Sequence, residues 1–288
     1  MYLTIKALSK FVCLLPALLR SFTAGAIGRL CWLAVSRRRK EMAISNVLQS
    51  GLAADEQAAA AIVQQSVYRF GPMMTEVLCF PRLTRDKVKS LIAVNGAEHL
   101  QAALAHGKGV VLATAHSGNW ELLGAALALY GFPLVAVVQK QTSAGADQFI
   151  NEYRTLAGMH VTYKSSVLEM ARLLAEGKII GLLMDQDAQA EGLPVTFFGR
   201  LASTPQGPAA LARMKGAPIV PAFITRQPDG THTVIIHPPL WAVKSRDRHQ
   251  DLLAVTARLN AIIENHVRTY PTDWFWLHNR WKTKYTQL

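Results

Sequence analysis

Near its middle the chain reads Val110-Val111-Leu112-Ala113-Thr114-Ala115-His116-Ser117-Gly118-Asn119-Trp120-Glu121. The apolar, β-branched run predicts a buried strand over 110–115, the small polar residues after it predict a turn, and the apolar spacing over 120–130 predicts a helix. A strand-turn-helix unit of this kind puts His116 at the carboxyl end of a strand, which is where open α/β sheets bind their ligands.

His116 and Glu121 are the candidate catalytic pair. A neutral imidazole can take a proton from an alcohol near working pH, because its ordinary pKa lies there. A carboxylate on the other ring nitrogen would fix the tautomer and stabilise the imidazolium, as in hydrolase triads. Glu121 would lie in the first helical turn and point back at the ring. The alternative is a buried histidine bonded to a carboxylate for structural reasons alone.

Strands and helices alternate along most of the chain. Strands are predicted at 88–95, 110–115, 134–139, 159–163, 179–184, 219–225 and 233–237. Helices are predicted at 41–51, 53–70, 73–80, 97–105, 120–130, 146–157, 166–175, 206–215 and 251–269. The break between the second and third helices is expected at Gly71-Pro72. This alternation predicts an α/β fold with one mixed or mainly parallel sheet flanked by helices.

Composition narrows the class of protein. Of 288 residues, 50% are hydrophobic and 17% are charged, which excludes a disordered chain and allows one large α/β domain. The formal net charge of +12 favours acidic partners, and no nucleic-acid-binding motif is present. Three widely spaced cysteines argue against a disulfide framework or a zinc site and fit a reducing compartment.

The N-terminal segment predicts membrane association. Residues 11–35 are mostly apolar and lead into the basic cluster Arg37-Arg38-Arg39-Lys40, which favours the cytoplasmic side for the residues after it. Arg20 and Arg29 interrupt the run, and a charge in mid-bilayer costs roughly 2.5–3.5 kcal/mol on insertion scales. We therefore expect a membrane anchor with its basic flank at 1–40, either spanning or half-buried, and a single catalytic domain at 41–288. A pair of soluble core helices is the alternative.

Four blocks of sequence resemble one protein family. His116-Ser117-Gly118-Asn119-Trp120-Glu121 resembles the H-x-x-x-x-(D/E) signature of glycerolipid and lipid A acyltransferases, in the form used by the lauroyl/myristoyl branch that makes bacterial lipid A. Further blocks similar to that branch, in the same order, are Met184-Asp185-Gln186-Asp187 with Val195-Thr196-Phe197-Phe198-Gly199, Ala209 to Ala212 with Gly216 to Pro221, and Pro271-Thr272-Asp273-Trp274-Phe275-Trp276-Leu277-His278-Asn279-Arg280-Trp281-Lys282. They cover roughly residues 37–284.

The resemblance implies a glycerolipid-acyltransferase-like fold and an enzyme that transfers acyl groups. It implies a fatty acyl thioester as co-substrate, carried by the acidic acyl carrier protein, and a hydroxyl of a phosphorylated glycolipid, a lipid A precursor, as acceptor. Together with the net positive charge and the basic cluster at 37–40, this predicts an anionic membrane surface as partner and the cytoplasmic face of the bacterial inner membrane as location. No metal and no other cofactor is expected.

Further residues are candidates for substrate binding. Asn119 could orient His116 or cap the helix, and Trp120 could shape the site. Arg154 stands in the family's R-x-x-x-G context, where a guanidinium would suit a phosphate. Asp185 ends an apolar strand, the usual place for a functional acid, although it could equally cap a helix or bond a loop.

Phe197, Phe198 and Gly199 predict an apolar wall and a turn. An acyl chain needs such a wall, and so does a core. The tryptophans at 274, 276 and 281 could lie at a bilayer interface or close the core.

Other functions stay open from the sequence. The acceptor could be another membrane lipid, such as a lysophospholipid or an aminolipid, although no F-P-E-G-T-R block of the phospholipid branch is present. The chain could instead be a membrane-bound lipid-binding protein without catalysis, or a thioesterase in which water replaces the alcohol.

Overall fold

The computed structural model describes residues 1–285 of the chain. Its strands are β1 (Ile92–Asn95), β2 (Val110–Thr114), β3 (Leu134–Val138), β4 (His160–Tyr163), β5 (Ile179–Leu183), β6 (Leu193–Phe197), β7 (Arg200–Thr204), β8 (Ile219–Arg226) and β9 (His232–Ile236).

Its α-helices are α1 (Tyr2–Leu14), α2 (Ala17–Ala34), α3 (Arg37–Gln49), α4 (Glu56–Tyr68), α5 (Phe70–Leu78), α6 (Arg85–Leu91), α7 (Ala97–Ala105), α8 (Trp120–Leu129), α9 (Ala144–Leu156), α10 (Val167–Ala175), α11 (Gly207–Lys215) and α12 (Arg248–Thr269).

Seven strands form one mixed sheet in the order β1-β9-β8-β2-β5-β3-β4. All neighbours pair in parallel except β8 and β9, which are antiparallel, and β6 and β7 form a separate antiparallel hairpin. Strand β2 lies between β8 and β5 and is buried along its whole length, as its continuous apolar sequence predicts. The predicted α/β class, a mixed and mainly parallel sheet flanked by helices, is confirmed.

Helices cover both faces of the sheet and create a core on each side. Because side chains alternate along a strand, Val111 and Ala113 of β2 join the core beneath α3, α4 and α10 to α12. Val110 and Leu112 join the core beneath α5 to α9 on the opposite face. The central strand is thus fixed from both sides, and the turn after it is held at the edge of a rigid sheet.

Three local predictions are corrected by the structure. The segment 88–95 is not all strand, because Thr84 caps α6 and the helix runs to Leu91 before β1 begins. The hairpin of β6 and β7 is absent from the predicted strands. The break between α4 and α5 comes at Arg69 rather than at Gly71-Pro72, which lie in the first turn of α5, where proline is tolerated.

The glycine at 71 is required for packing rather than for a break. A Cβ at Gly71 would lie 1.9 Å from the carbonyl oxygen of Ala24, and a Cβ at Gly28 would lie 2.3 Å from that of Tyr68. Helix α2 therefore touches α4 and α5 backbone to backbone. This contact fixes one wall of a cleft that α2, α4 and α5 form with the end of β8.

The N-terminal apolar segment forms two helices, separated at Leu15 and Pro16. Ser9 of α1 donates to the carbonyl of Leu78 at 2.6 Å, and Lys6 pairs with Glu152 at 2.6 Å, so α1 packs against α5 and α9. The boundary expected after residue 40, between the anchor and the rest of the chain, falls inside α3. Among residues 1–285, no single helix is long and apolar enough to cross a bilayer; α2 and α3 together pass by length and composition, with a bend of 100° between them.

Candidate active site

The turn after β2 is held by the C-terminal segment of the chain. The backbone N–H of Gly118 donates to the carbonyl of Asp273 at 2.9 Å, and that of Phe275 donates to the carbonyl of His116 at 2.9 Å. Ser117 and Trp274 form an isolated antiparallel bridge between these two bonds. The position of His116 at the edge of the sheet is therefore fixed by two segments that lie far apart in sequence.

Asp185 is the hydrogen-bond partner of the His116 ring. Its Oδ1 lies 2.7 Å from Nδ1 of His116, and its Oδ2 accepts from the backbone N–H of His116 at 2.9 Å and from the indole N–H of Trp274 at 2.7 Å. Burial alone would raise the pKa of the Asp185 carboxyl, but the charge and hydrogen bonds of His116 and the bond from Trp274 outweigh it, so this pKa lies below its ordinary value. An ionised Asp185 favours a proton on Nδ1 and leaves Nε2 free to accept one.

Glu121 does not hold the imidazole, which corrects the sequence-based expectation. Its carboxylate forms a two-bond ion pair with Arg154, at 2.9 Å from Nε and 2.6 Å from Nη2. Arg154 also donates to Asn151 at 2.8 Å, and both members of the pair are largely buried. Arg154, predicted to meet a phosphate, is thus occupied within the protein.

Asn119 and Trp120 complete the turn in different ways. Asn119 caps α8 by accepting from the N–H of Leu122 at 3.0 Å, and its amide donates to Glu76 at 2.8 Å. Of the two roles predicted for Asn119, the structure therefore gives the helix cap. Trp120 packs edge-on against the His116 ring, with centroids 4.9 Å apart. Unlike Asn119, it lines a cavity.

An apolar cavity lies beside the turn, between β2, β5, β3 and α8. Its lining is aliphatic apart from Trp120, Met159, Thr114 and the pair of Glu121 and Arg154. Gly124 and Gly181 supply two of its surfaces without side chains. Trp120 contacts both this cavity and the His116 ring, so a single side chain separates the cavity from the imidazole.

Sequence comparison agrees with this geometry. The family described as bacterial lipid A biosynthesis acyltransferase matches residues 2–283. The chain belongs to this family. It is an acyltransferase.

Individual relatives share about a quarter of their residues with this chain. A phosphatidylinositol mannoside acyltransferase of Mycolicibacterium smegmatis is 27% identical, over 76% of this chain and 72% of the relative. The lipid A biosynthesis lauroyltransferase of Escherichia coli K12 is 26% identical, over 66% of this chain and 62% of the relative. Among solved structures, the 1-acyl-sn-glycerophosphate acyltransferase PlsC of Thermotoga maritima aligns with a TM-score of 0.36 and 13% identity, over 76% of this chain and 86% of that one.

The aromatic blocks of this acyltransferase are buried. Trp274, Trp276 and Trp281 lie in the core, which decides between the two roles left open for them. Phe197 packs against Trp274 and Trp281, while Phe198 and Gly199, with φ of 51° and 71°, form the two-residue turn between β6 and β7. None of the three residues 197–199 lines the apolar cavity; Phe197 and Phe198 lie in the core, the second of the two roles left open for this segment.

The Gly118→Ala acyltransferase should lose stability and activity together. Gly118 has φ +61°, and a Cβ there would lie 2.1 Å from the carbonyl oxygen of Ile224. Backbone strain and overpacking together should lower the free energy of unfolding by about 2–4 kcal/mol. Because the turn must shift, the rate of acyl transfer should fall at least about tenfold.

Gly107→Ala is the matched control for this change. Gly107 also has a positive φ, +70°, but a Cβ there meets nothing within 4 Å. Both substitutions introduce backbone strain, but only Gly118→Ala introduces a clash. Comparing the thermal unfolding and initial rates of the two variants therefore isolates the effect of the clash. Equal effects of the two substitutions would mean that the contact with Ile224 has no importance.

A second buried histidine supports the turn and should make the acyltransferase sensitive to acid. Nε2 of His266 lies 3.1 Å from Ser117 Oγ, and its ring stacks on Phe223 at 4.3 Å. Burial lowers the pKa of His266 from 6.5 to about 4. The unfolded chain therefore binds this proton first, so its contribution to stability is complete above pH 6.5 and is lost as the pH falls to about 4.

The expected loss from His266 is about 3 kcal/mol, from 1.36 kcal/mol per pKa unit. Denaturant unfolding at pH 7 and at pH 4.5 measures it. His266→Gln keeps a hydrogen-bonding group toward Ser117 and cannot titrate, so its stability should fall less between these two pH values. An equal decline in both proteins would refute the assignment.

Two sets of contacts in the site were not predicted from the sequence. The role of Asp185 as the histidine's partner was not predicted, because a separation of 69 residues leaves no local pattern. Trp274 and Asp273 stood in a recognised block, but nothing in its composition indicates an indole on Asp185 or a carbonyl on Gly118.

Proposed function

We propose that this acyltransferase moves a fatty acyl chain from an acyl carrier protein thioester to a hydroxyl group of a phosphorylated glycolipid, a lipid A precursor. His116 is the general base, and Asp185 holds its ring. The observation that carries the proposal is the bond from Nδ1 of His116 to a buried carboxylate, which leaves Nε2 free as a base on a ring whose neighbour, Trp120, lines the apolar cavity.

The chemistry needs only these groups and the two substrates. Nε2 of His116 takes the proton of the acceptor hydroxyl as the oxygen attacks the thioester carbonyl, forming a C–O bond. The C–S bond then breaks, and the leaving sulfur takes the proton from the imidazolium. The products are one ester and one free thiol. The amino end of α8, at the same turn, contributes its positive dipole to the oxyanion.

We place part of the donor's acyl chain at the apolar cavity, whose volume of about 60 Å³ holds only a few of its methylene groups. Its walls are aliphatic, and the pair of Glu121 and Arg154 closes part of it with a fixed polar group. Removing either member would leave an uncompensated buried charge, which typically costs 3–5 kcal/mol. The motif glutamate in this proposal therefore shapes the donor site and is not part of proton transfer.

The N-terminal helices suit the surface of an anionic membrane. Large apolar side chains are exposed along α1 and α2: Leu3, Leu8, Phe11, Leu14, Leu18, Leu19, Phe22, Leu30 and Leu33. A patch of this kind beside basic residues is typical of helices that lie in a bilayer interface. We place it on the cytoplasmic face of the inner membrane, where the net charge of +12 would also attract the acidic carrier protein.

The acceptor assignment is tested in cells. Mass spectrometry compares total lipids of a strain lacking the gene, complemented with wild type or with His116→Ala. We expect lipid A lighter by one acyl chain in the deletion and restored by wild type only. Loss of an acyl group from another lipid would refute the lipid A precursor as acceptor. Release of free fatty acid as sole product would indicate a thioesterase, and full complementation by His116→Ala would indicate a lipid-binding protein without catalysis.

A further inference from the structure

A cleft of about 620 Å³ lies on the opposite side of the catalytic turn from the apolar cavity. Its walls come from α2, α4, the start of α5 and the end of β8. The sheet order β8-β2-β5-β3 puts the turn after β2 between the cleft, at the end of β8, and the apolar cavity, at β5 and β3. The two spaces therefore lie on either side of the turn that carries His116, and His116 itself lines neither.

The cleft is cationic because three arginines line it: Arg29, Arg69 and Arg226. Arg69 pairs with the buried carboxylate of Asp273, which also accepts from Thr225. Nε of Arg226 lies 3.5 Å from Oε1 of Glu76, whose carboxylate is also bonded to Asn119 and His232. Among residues 1–285, Arg29 has no carboxylate within 4.0 Å, and its contact is the ring of Tyr68.

The arginines retain capacity for an anion. The two carboxylates paired with these arginines, Asp273 and Glu76, are largely buried and bonded elsewhere as well. Asp229, in the turn after β8, adds a weaker attraction on Arg226. Nε of Arg226 is buried and faces Oε1 of Glu76 at 3.5 Å, so an anion would bind at the terminal nitrogens of this guanidinium. Arginine is the side chain best suited to phosphate, because its planar fork donates two parallel hydrogen bonds.

The cleft is continuous with the exposed apolar face of α2. Leu18, Phe22, Gly25 and Arg29 succeed one another at intervals of four, three and four residues, which places them on one side of the helix. Leu18 and Phe22 are exposed, whereas Gly25 and Arg29 line the cleft. A lipid whose acyl chains lie along the exposed part would bring its headgroup to the arginines.

We propose that this cleft binds the phosphate of the acceptor lipid, and that Arg29 and Arg226 are its specificity-determining residues. The proposal rests on the proposed acyl transfer to a phosphorylated lipid. It replaces the sequence-based assignment of a phosphate to Arg154, which is occupied by Glu121. The acceptor headgroup and the donor chain then reach His116 from opposite sides.

The test uses Arg29→Gln/Arg226→Gln, since Arg69 is needed by buried Asp273. Arg246→Gln/Arg248→Gln is the control, because it removes the same charge from exposed positions. Initial rates are measured in detergent micelles with a monophosphorylated disaccharide lipid, its dephosphorylated counterpart and an acyl carrier protein thioester. Thermal unfolding verifies that each variant is folded.

We expect the cleft variant to raise KM for the phosphorylated acceptor at least about tenfold, as loss of charged hydrogen bonds implies. KM for the thioester should stay unchanged, and the dephosphorylated acceptor should not distinguish the variant from wild type. An unchanged acceptor KM would overturn the proposal. A raised KM for the thioester would also overturn it, because the cleft would then hold the phosphodiester of the donor's prosthetic arm.

Binding without turnover separates this proposal from the proposed function. Titration of wild type and the cleft variant with the phosphorylated lipid alone measures affinity when no donor is present. A wild type that binds this lipid at least tenfold more tightly than the variant, yet transfers no acyl group, would contradict the proposed function and support the cleft. Equal affinities in an active enzyme would contradict the cleft alone.

Discussion

The His116→Gln protein should fold normally and transfer acyl groups about 10²–10⁴-fold more slowly than wild type. Glutamine cannot take the proton of the acceptor hydroxyl, while the cavity and the cationic cleft stay intact. The loss should therefore lie in kcat, with KM for both substrates nearly unchanged. Steady-state kinetics with an acyl carrier protein thioester and a lipid A precursor measures both parameters.

Two controls make this result specific. The exposed fraction of His116 is small, so thermal unfolding must verify that the variant is folded. His249→Gln changes an exposed histidine in the same manner and should leave kcat at the wild-type value. A folded His116→Gln protein with wild-type kcat would exclude general base catalysis by this residue.

The Asp185→Asn protein should lose a similar factor, about 10²–10⁴-fold in kcat, although the imidazole remains. Oδ2 of Asp185 accepts from two N–H groups, one from the backbone of His116 and one from Trp274. The asparagine carbonyl must therefore take the Oδ2 position, which turns the amide NH₂ toward Nδ1 of His116. Nδ1 then has to accept, the ring proton moves to Nε2, and the base is lost.

Glu121→Gln is the contrasting variant. It breaks the ion pair with Arg154 and leaves the tautomer of His116 untouched. Its effect should be coupled to that of Arg154→Gln, so that the double variant loses less than the sum of the two single ones. Measured kcat and unfolding free energies of the single and double variants give this coupling. Additive losses would mean that the two residues act separately.

Local units of the fold could be predicted from the sequence, because they depend on neighbouring residues. The strand at 110–114 and the helix from Trp120 result from apolar periodicity, and α7 from Ala97 to Ala105 agrees with its prediction at both ends. The hairpin of β6 and β7 was missed, since its turn, Phe198-Gly199, puts a phenylalanine at positive φ. A turn was predicted at these residues, but the positive φ of the phenylalanine is stabilised by packing in the core and has no local signal of its own.

His116, Glu121 and Asp185 could be predicted as site residues from the sequence, but the hydrogen bonds between them could not. His116 and Asp185 were both placed at strand ends from their own segments, which parallel strands bring to one edge of the sheet. The choice of partner depends on register: β2 and β5 pair Thr114 with Leu183, so the residues after them meet. Glu121 is nearer to His116 in sequence than Asp185 is, but its carboxylate is paired with Arg154.

The tautomer of His116 tests the proposed mechanism most directly. Nitrogen NMR of the protein labelled in histidine, with His116→Gln to assign the signal, reports which ring nitrogen carries the proton in the neutral form. We predict the proton on Nδ1 and a bare Nε2 in wild type, and the reverse in Asp185→Asn. A wild-type His116 that carries its proton on Nε2 would contradict the assignment of His116 as the base held by Asp185.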